Sequence, residues 1–173
     1  SSDLSGMTDT EKVIGFLDLF GNWNPTLMFV MGGAMLPMAL KNRSKAEVAG
    51  LAVAFCRHQG LRVRMDDAAV YVEVDGRAPG PTLALVSHLD VVPPGDGWTR
   101  PPFTPVREGA RLFGRGSCDA KASVAAMLWA AVDVARSGGP SRGRLLVLLG
   151  YSEETRDTSM PRALLRCGPI DAA

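Results

Sequence analysis

Apolar positions along the chain fall into two regimes that meet near residue 41. Beyond that point the periods are those of a layered α/β protein. SKAEVAGLAVAFCRHQG has helical spacing, with Ser44 as N-cap, Glu47 three residues on as in a capping box, and Gly60 to close it. LRVRM and AVYVEV alternate with period two and predict paired strands. PTLALVSH is mostly apolar and predicts a short strand buried on both faces. DAKASVAAMLWAAVDVARSGG predicts a long Ala-rich helix stopped by Gly138 and Gly139. GRLLVLLGYSEE predicts a second buried strand running into acid residues, and TSMPRALLRCG a last helix with Gly168 past its end. The expected fold class is therefore α/β, a layered sheet with helices on both faces.

Before residue 41 the texture differs. TDTEKVIGFLDLF predicts a short amphipathic helix capped by Thr8 or Thr10. From Leu19 to Leu40 no side chain is charged, and Lys41, Arg43 and Lys45 follow as a basic flank. That length touches the lower limit for a membrane span. Pro25 and Pro37 shorten the uninterrupted helix, and Gly32-Gly33 weakens it in water. A buried or partner-covered helix and a membrane-derived one both remain open. The expected division is an apolar helical segment over 1–43 and an α/β domain over 44–173.

Composition narrows the function. The chain has 173 residues, enough for one domain with a real core. Its net charge of +1, without a basic block, gives no reason to expect nucleic acid as a partner. Three cysteines without CxxC spacing argue against disulfides and thiolate zinc fingers, and for a reducing, cytoplasmic location. SSDLSGMTDTEK lacks the basic start and apolar stretch of a signal peptide.

The candidate chemistry lies in three polar clusters beside buried elements: His88 with Asp90, Asp119 before the long helix, and Glu153-Glu154 after the second apolar strand. Ligands of open α/β sheets gather at the carboxyl ends of strands, where two of these clusters fall. One imidazole and several carboxylates suit zinc, with cobalt or manganese as weaker alternatives. In HLD, His88 and Asp90 fall on the same side of an extended chain, so Asp90 can orient the ring. Adjacent glutamates point apart, so one can hold metal while the other moves a proton. Taken singly, each cluster also has an ordinary reading: a surface His–Asp pair, a solvated helix start, an N-cap. Lys121 and Arg115 could meet a substrate carboxylate but read first as solvated or loop-fixing, and Trp98 and Phe103 as loop packing.

Taken together, SHLDVVPPGDGWTRPPFTPV, ARLFGRGSCDAKASVAAM and LLVLLGYSEETRDTSMPRALL resemble the aminoacylase, acetylornithine deacetylase and carboxypeptidase G family of two-zinc amidohydrolases. The resemblance spans about residues 44–173. It implies His88 as a ligand of one zinc, Glu154 as a ligand of the other, Asp119 bridging both, Glu153 as general base, Asp90 as orienter of His88, and a cis peptide at Asp119-Ala120. It implies a small N-acyl amino acid or peptide as substrate.

The same resemblance implies a later acidic ligand and a late histidine. No histidine follows His88, and Asp171 is the only carboxylate after Asp157. The expectation is an amide hydrolase incomplete and weakly active or inactive as this chain, or else a non-catalytic chimeric or assembly protein with vestigial metal residues. Residues 5–40, through GMTD, KVIGFLDL and NPTLMFVMGGA, resemble a segment of YeeE/YedE-like membrane transport proteins. That likeness implies a joined chain. An apolar N-terminal helix beside a partial sheet then suggests a homo-oligomer with those helices in its interface.

Overall fold

The computed structural model describes residues 45–109, 111–155 and 158–173. The expectations for the amphipathic helix, the apolar helix, the Ser44 cap and an oligomer built through them lie outside the described residues. What is described is an α/β fold with helices on both faces of one sheet. α1 (Lys45–His58) leads into β1 (Arg62–Met65) and β2 (Ala69–Asp75). Then come β3 (Thr82–His88), a hairpin of β4 (Val106–Glu108) and β5 (Arg111–Phe113), α2 (Lys121–Arg136), β6 (Arg144–Gly150) and α3 (Ser159–Leu165).

The helix ends follow their sequence signals. Gly60, at φ +76°, closes α1 in a left-handed turn that most side chains resist. There the Leu61 N–H reaches back to the Cys56 carbonyl at 2.9 Å and the Gly60 N–H to Arg57 at 3.0 Å. The turn between β1 and β2 is closed by Asp66, whose Oδ1 accepts the N–H groups of Ala68 at 2.8 Å and Ala69 at 3.1 Å.

The sheet order is β1-β2-β6-β3, with β2 antiparallel and β3 parallel to β6. Alternation along β2 and β6 splits the core into two layers. Val70, Val72, Val147 and Leu149 pack toward α1 and α2. Tyr71, Leu146 and Leu148 pack toward α3. Burying each of these leucines is worth about 1.5–3 kcal/mol, so the continuous apolar run of β6 places that strand at the centre.

Burial corrects one expectation. β3 is not covered on both faces: it is a sheet edge, and Leu83 is 39% exposed. Its free side is partly occupied by the C-terminal residues, where the Ala84 N–H donates to the Ala172 carbonyl at 2.8 Å. What matters for chemistry is the parallel register. It sets His88, the last residue of β3, directly beside Gly150, the last of β6. The two strands therefore release their following residues into the same space.

Candidate metal centre

The strand exits converge by simple alternation. Leu89 turns inward to the core below α1 and α2, and its N–H donates to the Gly150 carbonyl at 2.9 Å. His88 and Asp90 consequently face the other way, toward the turn that carries Glu153 and Glu154. Asp119 arrives from a third segment, the glycine-rich turn before α2. Its peptide bond to Ala120 is cis. The N-cap position of α2 is Ala120, without a side-chain cap, so Asp119 is not spent on the helix.

His88 sits at the centre, 8% exposed. Its Nδ1 lies 3.2 Å from the main-chain carbonyl of Asp90, which can only accept, so this nitrogen carries a hydrogen. Its Nε2 then faces carboxylate oxygens: Asp119 Oδ1 at 3.1 Å and Glu153 Oε2 at 3.9 Å. A lone pair pointed at carboxylates is repulsive unless a cation, a proton or a metal ion, stands between. Burial pushes the imidazole down, but the bond to Asp119 and the charges of Asp90, Glu153 and Asp119 outweigh it and lift His88 above its ordinary value.

The residues fit a metal ion on geometry as well as type. Ligand atoms of His88, Glu153 and Glu154 lie within 4.8 Å of one another, so the adjacent glutamates converge on one spot instead of pointing apart as their spacing suggested, because they sit in a turn and not on an extended strand. Donors about 2.0–2.1 Å from a tetrahedral zinc stand about 3.4 Å apart, a value bracketed by the two Nε2–oxygen separations. The structure thus brings together His88, Asp90, Asp119, Glu153 and Glu154. Asp119 is 73% exposed, so this side of the cluster is open. Asp171 does not join them. Its carboxylate accepts the Thr82 N–H at 2.8 Å, at the opposite end of β3.

Asp90 does more than face the ring. Its side chain is 10% exposed, and Oδ1 is 3.5 Å from His88 Nδ1. The same carboxylate accepts the backbone N–H of Glu153 at 3.2 Å and of Glu154 at 3.0 Å. One side chain therefore fixes the turn that presents both glutamates, a task that HxD spacing alone does not announce.

Lys121 keeps one half of its sequence reading: it is not solvated but 6% exposed, and it fixes the segment after β3, its Nζ donating to the Leu89 carbonyl at 3.2 Å. Arg115 does fix a loop, donating to the carbonyl of Pro94 at 3.0 Å beneath Trp98, which itself bonds that carbonyl at 2.7 Å. Cys118 is exposed and unpaired with another cysteine, and His58 is an exposed residue at the end of α1 beside Gln59. Among the described residues no helix is long and apolar enough to cross a membrane.

Residues 84–172 match the family described as Peptidase family M20/M25/M40, and residues 2–94 match a family of unknown function (DUF6691). The N-terminal match thus runs well past residue 41 and overlaps the other. Among solved structures, the fold resembles human carnosine dipeptidase 1, with TM-score 0.67 and 20% identity over 90% of this chain. It also resembles the dipeptidase Dug1p from Saccharomyces cerevisiae, with TM-score 0.65 and 16% identity over 95% of this chain. A third likeness is to the metallo-carboxypeptidase Sso-CP2 from Sulfolobus solfataricus, with TM-score 0.57 and 22% identity over 73% of this chain. The chain covers 37%, 38% and 30% of those proteins respectively. By residues 84–172 the chain belongs to peptidase family M20/M25/M40, with its residues 2–94 matching a second family whose function is unknown.

Proposed function

We propose that the chain carries the metal-holding part of a zinc-dependent amide hydrolase of the N-acyl-amino-acid deacylase or peptidase type. The observation that carries this reading is the meeting of one buried imidazole with the carboxylates of Asp119, Glu153 and Glu154 at the exits of two parallel strands. His88, Asp119 and Glu154 would hold metal, with zinc favoured over cobalt or manganese. Bound there, zinc would supply Lewis-acid polarisation of the amide carbonyl and a more acidic water. Glu153, exposed and 3.9 Å from His88 Nε2, would take the proton from water and return it to the leaving amine nitrogen. Asp90 keeps Glu153 and Glu154 aimed by holding their amides. Membership of a peptidase family and the likeness to two dipeptidases favour a small peptide or N-acyl amino acid as substrate.

A second reading has its own support. The sequence contains two histidines, and His58 sits exposed on α1 against Gln59. A second metal would draw no imidazole from these residues, which favours low activity, or a non-catalytic role with the metal residues inherited, for these residues by themselves. The likeness of residues 5–40 to YeeE/YedE-like proteins belongs with this reading of a joined chain. Hydrolysis of N-acetyl amino acids and dipeptides, followed with and without added zinc, separates the two. Zinc-dependent turnover abolished by Glu153→Gln supports the hydrolase. Zinc binding without turnover supports the inherited site.

A further inference from the structure

We propose that Lys121 is a positioning residue of the metal centre, a buried tie that sets the spacing between His88 and Asp119. The inference rests on the metal-binding reading above. Lys121 opens α2, two residues after Asp119. Its ammonium donates to the carbonyl of Leu89, the residue between His88 and Asp90, at 3.2 Å. Its own N–H donates to the Gly116 carbonyl at 3.0 Å. One residue thus fastens the strand exit that presents the imidazole to the segment that presents the facing carboxylate.

The surroundings are shaped around it. A Cβ on Gly116 would come within 3.0 Å of Lys121 Nζ and 2.9 Å of Val91 Cγ1. Gly116, at φ +86°, suits glycine and leaves the ammonium its place. Burying a cation carries a desolvation cost that a methionine of similar length would not incur. A packing role explains the stem of Lys121. The bond to the Leu89 carbonyl explains why the stem ends in a donor.

The test is the zinc affinity of the full chain, measured by competition with a chromogenic chelator, for wild type, Lys121→Met and Val124→Ala. Val124 is buried one turn further along α2 and does not contact Leu89 through a polar group, so its truncation loosens helix packing alone. We expect Lys121→Met to weaken zinc binding about 10–100-fold, as loss of a residue that orients a ligand does, and Val124→Ala to leave it unchanged. Equal weakening in both variants, or none in Lys121→Met, overturns the proposal. A wild-type chain that takes up no zinc overturns the metal reading itself. Should Lys121→Met fail to fold, Lys121→Gln keeps a polar side chain but is too short to reach the Leu89 carbonyl. Affinity must fall there too, and an unchanged affinity again refutes the tie.

Discussion

Asp90→Ala is the perturbation whose cost can be worked out most fully. The carboxylate accepts two backbone N–H groups, from Glu153 at 3.2 Å and Glu154 at 3.0 Å. Hydrogen bonds to a charged group contribute about 1.5–3 kcal/mol each when buried. The Glu153 amide lies on the exposed side, so water replaces most of its bond. The Glu154 amide is part-buried and bears nearly the full loss. Removing one negative charge relieves repulsion from Asp119, Glu153 and Glu154 but also deprives His88 and Lys121 of attraction, and these effects oppose each other. The net loss is about 2–3 kcal/mol. Urea unfolding of the metal-free chain at neutral pH, with an unchanged m value, should show it as a lower midpoint. Asp90→Asn keeps one acceptor and should lose less. A shift below about 0.5 kcal/mol, the level of an ordinary surface change, would refute the clamp.

Two further outcomes test the frame around the site. Asp66 is raised by partial burial, but the N–H groups of Ala68 and Ala69, the Arg166 guanidinium and the Tyr71 hydroxyl more than reverse this and hold it at about 2. A depressed carboxyl stabilises the fold above its unfolded value of 3.8, and that contribution, at most about 2 kcal/mol, is lost as pH falls through about 2. Asp66→Asn should therefore lower stability at neutral pH and flatten the acid limb of the stability profile; parallel profiles would contradict this. Thiol labelling of the native chain should modify Cys118 fast and the other two slowly. Cys56 is buried and pushed up to about 12 by that burial, and Cys167 is also buried and raised. Fast reaction of Cys56 would mean that α1 does not pack as described.

Local signals made much of this legible. The glycines that end α1, α2 and α3 and the alternation in β2 act within a few residues, and their consequences are visible in sequence. His88, Asp90 and the two glutamates could be expected to meet because parallel strands of an α/β sheet deliver their following residues to one edge; only the family resemblance joins Asp119, on the turn before α2, to them. What could not be read depends on partners distant in the chain. Asp90 finds its amides some sixty residues away, at Glu153 and Glu154. The burial of Lys121 requires Leu89 and Gly116 to close over it, which no local pattern encodes. β3 reads as buried because it is apolar, yet sheet order leaves it at the edge. β4 and β5, of three residues each, are too short to carry a period.

The proposed function requires His88 and Asp119 to hold zinc, with Glu154 beside them. X-ray absorption at the zinc edge on the chain loaded with one equivalent of zinc reads those donors. A shell of nitrogen and oxygen donors at about 2.0–2.1 Å with one imidazole, lost in His88→Ala, is the predicted result. Sulfur scattering at about 2.3 Å, or an unchanged spectrum in His88→Ala, would place the zinc on other residues and contradict it.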